Sequence, residues 1–148
     1  VNPGATGYRL PTEAEWEFAA KGGNKSKGYK YSGSNNLKEA GWWDEKDMDL
    51  HSVKYHANEL GIYDMTGNVA EWCLDCFNDY DYSGKPETDP IGENDRHPER
   101  KCVRGGSYLS SESNNKKFGM YTVSRNNMDY AKYDREVGFR LVVPIDNN

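Results

Sequence analysis

The chain has 148 residues, of which 35% are hydrophobic, and a mean hydropathy of −1.02, the profile of one small domain with little apolar material for a core. No run approaches the ~18 apolar residues of a membrane span, which excludes membrane insertion through a helix. The net charge of −5 and pI of about 5.2, without a basic cluster, exclude nucleic acid as the main partner. Nineteen aromatic residues (four Trp, eleven Tyr, four Phe) argue against disorder and for a folded domain in which rings pin long coils. The sequence starts at Val1 without Met or a charged-then-apolar leader, so a fragment or processed product is expected.

A helix is predicted over 12–21. Thr12 is an N-cap with Glu15 as its capping-box partner, Glu13, Glu15 and Glu17 place negative charge in the first turn, and Gly22-Gly23 stops it. Trp16, Ala19 and Ala20 share one face. Arg9 is expected to pair with Glu13 or Glu17. Residues 22–61 show neither a period of 2 nor of 3.6 and read as ordered coil. A turn at Thr66-Gly67-Asn68 interrupts the apolar stretch from Ile62 to Trp72.

The acidic segment 75–100, with Pro86, Pro90 and Pro98, reads as a surface loop. Asp79, Asp81, Ser83 and Gly84 imitate the start of an EF-hand loop, but Pro90 stands where that loop needs a bidentate Glu. Strands are predicted at 101–108, running into Gly105-Gly106, at 118–123 and at 138–143, the last with Phe139, Leu141 and Val143 on one face and Arg140 on the other. Arg140, between two apolar residues, calls for a carboxylate or carbonyl partner. The result is a single α+β domain over 1–148, with a small antiparallel sheet, few helices and much ordered coil.

Three cysteines, Cys73, Cys76 and Cys102, are too few for a disulfide framework. The Cys73/Cys76 pair has no second ligand pair for zinc, which leaves buried thiols or one disulfide from Cys102 to either partner.

Four segments, GYRLPTEAEWEFAAKGG (7–23), NELGIYDMTGNVAEW (58–72), CVRGGSY (102–108) and VGFRLV (137–142), together resemble the formylglycine-generating enzyme, or sulfatase-modifying-factor, family. The resemblance implies a variant of the C-type-lectin-like fold, here lacking the family's N-terminal part, and a bacterial-type source with an extracytoplasmic or cell-surface location. It also implies calcium, held by the side chains of Asp64 and Glu71 and the backbone oxygens of Gly67 and Val69. The residues themselves admit a second account, in which Asp64 caps the turn and Glu71 pairs with an arginine.

The family's oxidase converts a sulfatase cysteine to formylglycine through two thiols that bind copper(I). The matching positions are Ser110 and Asn115, so copper and catalysis are not expected. Three scattered histidines, His51, His56 and His97, give no support to the iron-dependent sulfoxide synthases that share this domain. The Ser/Asn/Tyr-rich stretch 107–134 has paratope-like chemistry, and Ser107, Tyr108, Ser110, Asn115, Tyr121, Asn126 and Tyr130 are expected to bind a protein or small-molecule ligand. The leading expectation is a calcium-stabilised binding or scaffold module. The alternatives are a formylglycine-generating oxidase and a retroelement-diversified binding protein.

Overall fold

A computed structural model describes residues 7–43, 49–78, 91–92, 96–111 and 118–143. Helix α1 runs Glu13–Ala20, as its cap predicts: Glu15 N donates to Thr12 Oγ1 (3.2 Å) and Thr12 N to Glu15 Oε2 (2.8 Å), the two halves of a capping box. A 3₁₀ turn, Gly23–Lys25, follows the helix stop at Gly22, whose φ is +88°. The coil beyond contains one further helical turn, α2 (Leu37–Ala40), capped by Asn36 and too short to leave a periodic trace.

Four strands, β1 (Ala70–Cys76), β2 (Arg100–Arg104), β3 (Asn126–Asp129) and β4 (Val137–Gly138), form one sheet in the order β3-β2-β1-β4. β1–β2 and β2–β3 are antiparallel, but β4 runs parallel to β1, so the sheet is mixed where an antiparallel one was expected. The strand expected at 118–123 is absent. Its alternation is real, since Phe118 and Met120 are buried, but Thr122 donates its N–H to Lys30 O and gives its carbonyl to Arg104, so the segment pairs with a loop and a side chain. The strand expected at 138–143 shrinks to β4 and a single antiparallel bridge between Val142 and Arg9. Arg140 turns inward there, which leaves Phe139, Leu141 and Val143 exposed.

Alternation along β1 and β2 sorts the core. Glu71, Cys73, Asp75, Cys102 and Arg104 are all buried, and Trp16, Ala20, Met65, Cys73 and Cys102 form one apolar cluster. Ala70 and Val103 pack with Phe118 and Met128 in a second, and Tyr31, Leu37, Ala40 and Met120 make a third.

The first cluster is built around charge. Glu13, the first residue of α1 and almost fully buried, accepts from Arg125 Nε and NH2 (2.8 Å each), from Arg104 NH1 (3.2 Å) and from the Cys102 thiol (3.1 Å). Arg104, with no exposed side-chain surface, also reaches Glu17 and Thr122 O (2.8 Å) and stacks 5.3 Å from the Trp16 ring. Both expected partners of Arg9 are taken by these arginines, and Arg9 binds Glu15 instead (2.6 Å). Glu13 N donates to Asp75 Oδ2 (2.7 Å), which fixes the helix start to β1.

Burial alone would push the Glu13 carboxyl up, yet the hydrogen-bonded Arg125 and the charge of Arg104 hold it below the ordinary 4.5. The sign follows from that depression: Glu13 contributes stability above pH 4.5 that is lost as pH falls through its lower folded value. Burial raises Asp75 above 3.8, so its contribution runs the other way and grows as pH falls toward 3.8. Glu13→Gln removes the carboxylate that Arg125 meets and one of the two that Arg104 meets, and is expected to cost about 3–5 kcal/mol in urea denaturation at pH 7. The gap to the parent chain should narrow in acid; a gap that stays constant to pH 3 would separate Glu13 from the acid response.

Candidate functional site

Asp64, with φ +58°, and Asn68, with φ +60°, bracket the turn between Met65 and β1. Gly67 occupies φ +74°, and a Cβ there would lie 2.1 Å from Trp42 O, so only glycine fits. Asp64 spends its two carboxylate oxygens on the backbone amides of Lys54 and Tyr55 (2.9 Å to Tyr55 N). Glu71 accepts from Arg140 Nε (2.6 Å) and NH2 (2.7 Å) and from Trp16 Nε1 (2.7 Å). Arg140 NH2 also donates to Tyr63 O (3.1 Å) and Asp64 O (3.3 Å).

The guanidinium therefore joins the backbone of the turn to Glu71, within the stretch that holds the expected calcium donors Asp64, Gly67, Val69 and Glu71. The two carboxylates are engaged by different partners, Asp64 by backbone amides and Glu71 by Arg140 and Trp16. Among the described residues no three His, Cys, Asp or Glu side chains converge on a metal position. The melting temperature is expected to be the same in EDTA and in added calcium, whereas Arg140→Ala should cost about 3 kcal/mol. A chelator-sensitive melting temperature would return a metal to the turn.

The loop after β2 begins at Gly105 (φ +94°) and Gly106 (φ +75°), where added Cβ atoms would lie 3.0 Å from Trp16 and 2.4 Å from Met120. These contacts press the loop into the core. Ser107, Tyr108 and Ser110 are 0%, 3% and 2% exposed. Ser107 Oγ donates to Glu136, and Ser110 Oγ donates to Phe118 O (2.7 Å) while accepting from Ser107 N (2.9 Å). The three were expected to meet a ligand; in this structure all three are buried. Tyr121 is half-buried against Tyr31, with ring centroids 5.2 Å apart and Lys30 Nζ over both rings. Asn126 belongs to the β3 ladder opposite Val103, and Tyr130 is exposed. Asn115 and the EF-hand-like stretch at 79–90 lie outside the described residues.

All three cysteines are free thiols. Cys73 and Cys102 are buried in the α1 cluster, and burial, reinforced by the nearby Glu13 carboxylate, pushes both thiols far up. Cys76 is half-buried, with Lys101 Nζ 3.2 Å from its sulfur. Native alkylation with iodoacetamide at pH 8 is expected to modify Cys76 alone, and unfolding to expose all three; native labelling of Cys102 would contradict the sealed cluster.

A concave surface lies at the edge of the sheet. A cleft of about 500 Å³ is bounded by Arg100 on β2, Asn127 and Asp129 on β3, and Lys132, Tyr133 and Asp134 on the turn that follows. Arg100 faces Asp129 across the ladder, and its Nε donates to Asn127 Oδ1 (2.9 Å). The turn is closed by Lys132 N to Asp129 O (3.0 Å) and Ala131 N to Asp129 Oδ1 (2.9 Å). The stretch 107–134 singled out in the sequence includes the β3 side of this cleft, but Arg100 was missed because it lies within a segment read as loop.

A capped helix on a short mixed sheet, with glycine-rich turns and few other regular elements, defines a loop-rich α+β domain of the formylglycine-generating-enzyme type. Residues 3–145 match the sulfatase-modifying factor enzyme 1-like domain, and the chain belongs to that family. It is 40% identical over 132 residues to the chaperone protein LppX of Paenibacillus barcinonensis, covering 75% of this chain and 42% of that protein. It is 33% identical over 156 residues to the formylglycine-generating enzyme of Streptomyces coelicolor, covering 95% and 48%. Among solved structures it resembles Treponema denticola variable protein 1, with a TM-score of 0.80 at 35% identity, covering 95% of this chain and 49% of that one. The chain thus spans about half the length of the relatives it matches.

Proposed function

We propose that this chain is a binding module of the family that has given up the copper oxidase centre. The observation that carries the reading is Ser110. At the first of the two positions where the oxidases place a thiol, its hydroxyl is buried and committed to Phe118 O and Ser107 N. A hydroxyl is a poor ligand for copper(I), which selects soft thiolates. The sulfurs the chain does possess are on β1 and β2, two of them sealed beneath α1, and cannot substitute. These donors do not fit the metal. The similarity to a protein named as a chaperone, beside one named as an enzyme, supports a role for this domain apart from oxidation.

The test is incubation of the copper(I)-supplemented chain with a sulfatase-type peptide carrying Cys-x-Pro-x-Arg under oxygen. No conversion of the peptide cysteine to formylglycine is expected by mass spectrometry. Turnover that Ser110→Ala abolishes would overturn the reading.

A further inference from the structure

The cleft beside β3 has a charge pattern that narrows what it can hold. Arg100 is half-buried, and its fork is oriented by the Nε bond to Asn127, while neither terminal nitrogen has a partner among the described residues. Lys132, which also lines the cleft, likewise has no side-chain partner among the described residues. The acids around them are partly engaged at home: Glu99 with His97 (3.1 Å), Asp129 with Ala131 N (2.9 Å) and Asp134 with Glu136 N (2.9 Å). Asp129 keeps one carboxylate oxygen outside these bonds. Tyr133, 91% exposed, adds a rigid amphipathic ring at the rim.

We propose that this cleft binds a mixed-charge peptide segment, with its carboxylate on Arg100 and Lys132 and a neighbouring cationic side chain toward Asp129. A preset guanidinium fork suits a planar carboxylate. Two cations among three carboxylates favour a single negative charge and oppose a dianion such as phosphate. The polar lining fits an extended peptide with its own hydrogen-bonding backbone better than an apolar small molecule, whose sites are mostly hydrophobic.

The proposal rests on the binding-module reading and gives it a ligand class. The test titrates the ¹⁵N-labelled chain with the acetylated, amidated peptide Gly-Glu-Gly-Lys-Gly and follows amide shifts. Saturable shifts confined to 99–100 and 127–134 are expected. Binding should weaken about threefold to fivefold when the peptide Glu or Lys becomes Gln, and by as much in Lys132→Gln or Arg100→Gln. Lys132 is exposed, so that variant keeps the fold and the test intact. Equal binding of the Glu-to-Gln peptide, tighter binding of a phosphoserine version, or no saturable shift at millimolar peptide would each overturn the proposal. Shifts centred on Tyr31 and Tyr121 would overturn the cleft and leave the binding module standing. Oxidase turnover would sink the binding module whatever the cleft does.

Discussion

A carboxylate at the first residue of α1, taken out of water and met by two arginines, is the constraint on which the rest of the domain turns. A lone buried carboxylate would cost several kcal/mol, so Glu13 is tolerable only with its partners in place. Arg104 comes from the end of β2 and Arg125 from just before β3, so one side chain ties the helix to two strands. Trp16 extends the network: its ring lies under Arg104 and its Nε1 donates to Glu71, which in turn holds Arg140. A spine of alternating charges therefore crosses a domain whose apolar core is divided into three small clusters.

This spine bears on the functional surfaces by deciding which polar groups are spent. Glu71 and Arg140 neutralise one another at the turn before β1. Ser107 and Ser110 are drawn into the packing behind Gly105 and Gly106. Among the described residues, Arg100 and Lys132 line the cleft at the far edge of the sheet.

The parts of this structure written in local chemistry were legible in the sequence. The capping box at Thr12 and Glu15, the glycine turn after β2 and the need of Arg140 for a carboxylate are each set by residues a few positions apart or by one side chain's demand. The segment 118–123 was not legible, because alternation records burial and cannot say whether the neighbour is a strand or a loop. The parallel pairing of β4 rests on only two register pairs and leaves no pattern of its own. At the candidate site, residue type pointed to Ser107, Tyr108 and Ser110, but exposure depends on glycine contacts with Trp16 and Met120 that are distant in sequence. Arg100 was hidden for the opposite reason: it lies among acidic and proline residues whose composition speaks for loop.

Glu13 also orders events in time. Its partners Arg104 and Arg125 lie 91 and 112 residues further along the chain. As the polypeptide leaves the ribosome, α1 emerges well before the residues that neutralise Glu13 and cannot settle against the sheet until Arg104 and Arg125 have followed it. Docking before then would bury an uncompensated charge. Closure is thereby deferred until β2 and the start of β3 have emerged, with the Trp16 face waiting in solvent meanwhile, the circumstance in which a nascent chain is most open to misassembly and to capture by folding helpers.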